Sequence, residues 1–149
     1  MRVWRPSATV AAVIERDGRF LLVEERIDGR LVLNQPAGHL DPGESLIAAC
    51  RREVLEETAH RFEPTALIGI YRWIYAPKNV TFLRFCFRGR LEGMTDGPRD
   101  RQITAVHWLT REELMARRAD HRSPLVLRCV DDFLAGREFP LEVFSSEYA

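Results

Sequence analysis

The sequence predicts an α/β fold, a single domain over residues 1–149 with one mixed sheet covered by helices on both faces. Three observations predict it. A chain of 149 residues, 46% of them hydrophobic, is about one domain long and buries roughly 70% of its unfolded surface. Runs rich in β-branched and aromatic residues are interrupted by runs of helical spacing in the order ββ, helix, βββ, helix, helix, the pattern of sheet and helix layers around one core. No repeat, low-complexity tract or linker divides the chain.

The elements follow in order. Ala8–Glu15 and Arg19–Glu25 read as strands joined across Asp17-Gly18, a dipeptide suited to a tight hairpin. Leu31–Leu40 starts as a strand, and Pro36 and Gly38 then leave an extended, irregular loop that ends in the Asp41-Pro42-Gly43 turn. Ser45 caps a helix to about Thr58, with Leu46, Ile47, Cys50, Val54 and Leu55 at helical spacing and a charged opposite face. Ala66–Ala76 and Thr81–Glu92 form an antiparallel pair around Pro77-Lys78-Asn79. After a Gly, Pro and Asp-rich loop (93–100), ITAVHWL is another strand. Thr110 and Glu113 then form a capping box for a helix over about 111–118. Ser123-Pro124 opens the last helix, which stops at Gly136.

Composition narrows the function. The charges balance, with 22 Lys+Arg against 22 Asp+Glu, so the basic excess expected of a nucleic-acid binder is missing. No stretch approaches the ~20 apolar residues of a membrane span, and the N-terminal residues lack a secretory apolar core. The expectation is a cytoplasmic protein without a membrane or nucleic-acid partner, either monomer or homodimer. Cys50, Cys86 and Cys129 are odd in number and lack CxxC spacing, so they are read as reduced, buried thiols. His39, His60, His107 and His121 show no metal-ligand spacing and are read as structural.

The chemistry concentrates in Gly38-x5-Glu44-x7-Arg52-Glu53-Val54-Leu55-Glu56-Glu57. Helical geometry places Glu53 and Glu57 one above the other with Glu56 beside them. Such like-charge neighbours cost about 0.2–0.5 kcal/mol per pair, and negative charge in the last turns costs a further ~0.3–1 kcal/mol against the helix dipole. Arg52 offsets part of this by pairing with Glu56 at i+4, and Glu44 is close enough in sequence to reach the same patch. One arginine cannot neutralise four carboxylates, whereas a divalent cation can. Mg²⁺ prefers a few carboxylates, several waters and substrate phosphates, which points to phosphate chemistry.

This constellation resembles the Nudix box, the signature of hydrolases that cleave nucleoside diphosphates linked to another group. The resemblance implies a Nudix-type α/β/α sandwich with a mixed sheet and a loop-helix-loop catalytic motif. It implies Mg²⁺ or Mn²⁺ held by Glu53, Glu56 and Glu57, with Arg52 orienting the glutamates, Glu44 supporting them, and Glu53 also a candidate base for the attacking water. Two positions depart from the box. Ala59 and His60 stand where glycine and an aliphatic residue are usual, so either the helix ends differently or Ala59 accepts a left-handed cap at about 1–2 kcal/mol.

The runs Asn34-Gln35-Pro36-Ala37-Gly38-His39-Leu40, Phe82-Leu83-Arg84-Phe85 and Arg122-Ser123-Pro124-Leu125-Val126 are similar to those of the NudJ-type phosphatase branch. That implies phosphate release from nucleoside tri- and diphosphates and from pyrimidine pyrophosphates of thiamine metabolism. Phosphoanhydride hydrolysis needs charge neutralisation, a placed water and an accommodated leaving group. Besides Gly38, the candidate substrate residues are Arg84, with Arg72 on the neighbouring strand, for phosphate. Arg122 precedes a helix N-terminus, and Trp73 and Tyr75 share a strand face suited to stacking on a base. Asp100 is a further carboxylate candidate. The rival readings are a pyrophosphatase of sugar nucleotides or coenzymes, and a nucleotide-binding module without catalysis. The second would be expected to have lost box carboxylates, and all are present.

Overall fold

Strand β1 (Ser7–Val13) organises the fold, because both its faces and both its edges are occupied. Val10 to Ile14 are at most 2% exposed, which explains a continuous apolar run without alternation. One edge pairs antiparallel with β5 (Ala37–His39) and the other parallel with β7 (Val80–Met94). β7 pairs antiparallel with β6 (His60–Tyr75), which in turn carries β9 (Phe139–Pro140). The result is a five-stranded mixed sheet ordered β5-β1-β7-β6-β9. The computed structural model describes residues 1–145; the last four positions of the predicted domain, 146–149, lie outside the described residues.

The α/β class and the mixed sheet are as predicted, but the strands divide between two sheets. β2 (Glu15–Arg16) and β3 (Arg19–Ile27) form a hairpin around Asp17 (φ 52°) and Gly18 (φ 77°), the two left-handed positions of the expected turn. β3 also pairs with β4 (Arg30–Asn34) and β8 (Ile103–Leu109) in an antiparallel sheet. With both edges of β1 taken, β3 has no place beside it, so the predicted hairpin of Ala8–Glu15 with Arg19–Glu25 keeps only a short pairing of Glu15–Arg16 with Arg19–Phe20. Ala37–His39, expected to be an irregular loop, is a strand instead. It begins just after Pro36, whose missing N–H is therefore not needed by the ladder, while the Pro36 carbonyl accepts from Ala12 N–H at 3.0 Å.

Helix α1 (Leu46–Thr58) begins where predicted, with the Ser45 hydroxyl accepting from Ala48 N–H at 3.0 Å. Its Ala49, Cys50 and Val54 pack with Val10, Ala12, Ile14 and Phe87 on one face of the mixed sheet. Leu55, expected on this face, is 40% exposed, whereas Glu53 and Glu57 are buried. On the opposite sheet face, α3 (Leu125–Leu134) supplies Val126, Cys129 and Val130, and α2 (Arg111–Ala116) supplies Leu114. The α2 cap is half of the predicted box. Thr110 accepts from Glu113 N–H at 3.1 Å, but the Glu113 carboxylate pairs with Arg19 at 2.8 Å. The three thiols are buried and unpaired, as expected, and no helix among the described residues is long and apolar enough to cross a membrane.

α1 ends in the left-handed cap that its sequence makes costly. Ala59 has φ 61° and ψ 15°, and its N–H returns to the Leu55 carbonyl at 2.9 Å. His60 is buried beside it, with Nδ1 3.0 Å from the Thr58 carbonyl oxygen. Ala59→Gly is expected to leave turnover unchanged and to raise the melting temperature by roughly 1–3 °C, because strain is relieved at a small entropic cost. A drop of several degrees would show that burying the Ala59 methyl outweighs the strain.

Candidate active site

The carboxylates of α1 meet the Ala37–His39 strand in one cleft of about 410 Å³. α1 packs against this strand because Gly38 has no side chain. A Cβ built at Gly38 would overlap the Glu53 carboxyl group, which explains why this glycine precedes this helix. Gly38→Ala is therefore expected to displace Glu53 and cut turnover by about 10²-fold or more, the scale of an ångström-sized misplacement. Steady-state rates alongside a circular-dichroism melt would check this, and undiminished turnover would contradict it.

Arg52 is the hub predicted from the sequence, with more partners than predicted. Its Nε and Nη2 donate to the two oxygens of Glu44 at 2.6 and 3.0 Å. Nη1 donates to Glu53 at 2.8 Å and to Glu56 at 3.2 Å, and Nη2 also reaches the His39 carbonyl at 2.9 Å. Asp41 lies 3.4 Å from Nε. This bidentate pair holds the Glu44 carboxyl below its usual range. Arg52 thus ties the loop before α1 to the middle of the helix.

Glu57 is held differently. Its carboxylate accepts from Ala37 N–H at 2.7 Å, and among the described residues no cationic side chain lies within 4.0 Å of it. Burial pushes Glu53 up to about 7 and Glu57 up to about 9. Glu53, Glu56 and Glu57 share one helix face, but they do not form a preformed metal cage. Among the described residues no three acidic, His or Cys side chains converge on one point, because Arg52 draws Glu53 and Glu56 and Ala37 N–H draws Glu57. The donor set still fits a hard divalent cation, since its members are carboxylates facing a cleft and Glu57 is buried without a counter-ion.

The other predicted residues divide. Arg84, Trp73, Arg122 and Asp100 line the same cleft. Asp100 also donates its N–H to the Glu56 carbonyl at 2.8 Å. Arg84 is 6% exposed and donates to Asn34 Oδ1 at 2.8 Å and Gln35 Oε1 at 2.9 Å. Arg72, its proposed companion, is exposed on the other sheet face. The register pairs Arg84 with Tyr71 and Phe82 with Trp73, so Arg72 points away by strand alternation. Tyr75 is not part of the cleft wall; it packs at 5.3 Å from Trp73. The Arg122 guanidinium covers Trp73, Tyr75 and Phe82 at 5.2–5.8 Å from their centroids.

Asn34 and Glu25 in the cleft wall, and Gln35 behind it, carry no role that the sequence alone assigns. In the sequence Asn34 and Gln35 stand out only as part of a run, and their bonds to Arg84 give that run its meaning. Gln35 Nε2 also donates to the Val126 carbonyl at 2.7 Å, so the three runs quoted above meet in one wall. Glu25 lies at the end of an apolar strand, where burial raises its pKa while Arg122 opposes the rise. Nothing in the local sequence distinguishes it from its outward-facing neighbour Glu24, which is bound by Arg117 and His107.

Comparison with known proteins agrees with this architecture. The NUDIX domain family matches residues 3–129. Phosphatase NudJ of Escherichia coli (strain K12) is 39% identical over 142 residues, covering 95% of this chain and 92% of that protein. Phosphatase NudJ of Shigella sonnei (strain Ss046) matches to the same extent. Among solved structures, a NUDIX hydrolase from Nitrosomonas europaea is 49% identical, with a TM-score of 0.93 over 95% of this chain and 97% of that one. A UDP-X diphosphatase at 16% identity and a TM-score of 0.71, covering 91% of this chain and 66% of that one, shares the fold alone.

Proposed function

The chain belongs to the NUDIX family and is a hydrolase, and from that premise we propose that it hydrolyses phosphoanhydride bonds in a Mg²⁺-dependent manner. The substrates in this reading are nucleoside tri- and diphosphates and related pyrimidine pyrophosphates of the thiamine-pathway type, with phosphate released. One observation carries it: a single cleft holds buried box carboxylates and, elsewhere in its wall, a buried arginine that has no acidic partner among the described residues. A phosphate chain with a bound cation complements both. The 39% identical relatives are phosphatases, which supports phosphate release.

In this reading Glu53, Glu56 and Glu57 hold the cation, for which Mn²⁺ is the alternative. When bound there, the cation would supply charge neutralisation for the phosphoryl oxygens. Glu53, against Gly38, accepts the proton of the attacking water, and Arg52 and Glu44 keep α1 and its preceding loop in register. Arg84 binds phosphate oxygens. Trp73 presents the aromatic wall for the base, and Arg122 and Tyr75 fix its orientation. A cytoplasmic setting belongs to the same reading, supported by three buried thiols that are not joined in disulfides.

A panel of nucleoside triphosphates, nucleoside diphosphates, pyrimidine pyrophosphates, sugar nucleotides and coenzymes, each with Mg²⁺, tests the proposal. Inorganic phosphate from the first three groups is the expected product. Cleavage confined to sugar nucleotides or coenzymes would establish the rival pyrophosphatase reading instead.

A further inference from the structure

We propose that Arg84 reads the end of the substrate: it selects a free terminal phosphate and thereby fixes hydrolysis at the outermost anhydride bond. This rests on the phosphoanhydride reading above and names the feature of the substrate that the cleft recognises. Arg84 is 6% exposed, yet among the described residues no carboxylate lies within 4.0 Å of it. Its partners are the neutral oxygens of Asn34 and Gln35 and, at 3.9 Å, Cys129 Sγ. Buried charges are normally paired, so a guanidinium set between amides is oriented by the protein without being neutralised by it.

The rigidity of that setting is visible. Gln35 is anchored through its amide nitrogen to Val126, at the start of α3. A guanidinium has five N–H donors. In Arg84, Nη1 and Nη2 are taken up by Gln35, Cys129 and Asn34, and among the described residues no fully buried side-chain nitrogen or oxygen is left unsatisfied, so Nε, which has no protein partner, is not sealed from solvent on a side chain that lines the cleft. Around it Thr9, Asn34 and Ser123, all under 10% exposed, line the cleft. His39, Asp41 and Gln102 line the same cleft and are exposed. Arg84 therefore belongs to the buried part of the cleft wall, and the exposed residues mark the mouth.

A buried guanidinium that has no carboxylate partner among the described residues suits one part of a phosphate chain. A terminal phosphate carries close to two negative charges and three free oxygens, which match a guanidinium in a bidentate way. An internal or capped phosphate carries a single charge and a further substituent, which matches a guanidinium in this buried wall less well. With the terminal group held there, water forms a bond from its oxygen to the terminal phosphorus. The bridging P–O bond breaks, and its electron pair leaves with the shortened nucleotide. The proton of the water passes to a cleft carboxylate, and the product is inorganic phosphate.

Arg84→Gln and Arg84→Lys test this with two readouts. In chelator, inorganic pyrophosphate should raise the melting temperature of the wild type, raise that of Arg84→Lys less, and leave Arg84→Gln unmoved. With Mg²⁺, the wild type should prefer a nucleoside triphosphate over its γ-methyl ester by about 100-fold in kcat/KM. Arg84→Gln should lose about 100-fold on the free triphosphate and little on the ester, so the preference collapses. Its own melting temperature should be unchanged or higher, since an unneutralised buried charge is removed. Equal wild-type rates on both nucleotides would overturn the proposal, as would a preference that survives in Arg84→Gln. A wild type inert on both would sink the phosphoanhydride reading, while pyrophosphate binding in chelator would still decide the role of Arg84.

Discussion

Glu53→Gln is expected to lower turnover by about 10²–10⁴-fold, the range lost when a general acid or base is removed, with no loss of melting temperature. The two effects separate because of where Glu53 is held. Its carboxylate lies against Gly38 and takes one of several bonds from Arg52. Removing its charge leaves Arg52 with both oxygens of Glu44 and one of Glu56, so the hub keeps its partners. Gln retains an acceptor oxygen for Arg52 and is nearly isosteric, so packing against Gly38 survives. Burial raises the Glu53 pKa towards 7, which means that its charged form opposes folding near neutrality and that the amide removes this penalty. Steady-state kinetics with Mg²⁺ and a thermal melt on the same preparation check both halves. A variant that melts like the wild type and turns over like it would remove Glu53 from the chemistry. One that loses both together would show instead that Glu53 serves the fold.

The contrast between what was and was not legible follows from the range of the interactions. Ser45 and Thr110 start their helices and Gly136 follows the end of the last one where expected, because a cap is decided within four residues. The Asp17-Gly18 turn was legible for the same reason. Which strand pairs with β1 is decided by residues more than seventy positions away, in β7, and no local pattern reports that β5 and β7 occupy both its edges. The division into two sheets was hidden accordingly. The box glutamates were legible because helical spacing alone brings them together. Their burial was not, since it depends on Ala37–Gly38 lying against α1. Ala59 shows a third case: the sequence left two ways to end the helix, and the structure takes the strained one. Arg84 was noticed, but its significance comes from the neutrality of Asn34 and Gln35, a property of the packed site.

Glu57 gives the second large effect, which couples pH, cation and fold. A carboxyl that holds its proton more tightly in the folded state stabilises the fold below its unfolded pKa and withdraws that stability as pH rises through its folded value. For Glu57, pushed up from 4.5 to about 9 chiefly by burial, the window runs between those values. In chelator the melting temperature of the wild type should therefore fall by roughly 5–10 °C more than that of Glu57→Gln between pH 5 and pH 9. The amide cannot ionise, and it still accepts the bond from Ala37 N–H, so the backbone contact is common to both proteins. A divalent cation favours the ionised form that burial disfavours. Saturating Mg²⁺ at pH 8 should accordingly raise the melting temperature of the wild type by several degrees, since a ligand at 100 times its Kd contributes about 2.7 kcal/mol. Glu57→Gln should respond much less, and Mg²⁺ should abolish most of the difference in pH dependence. Parallel pH profiles for the two proteins would show that Glu57 is already neutralised within the fold. A wild type whose melting temperature ignored Mg²⁺ at every pH would mean that the buried carboxylates are not held for a cation at all.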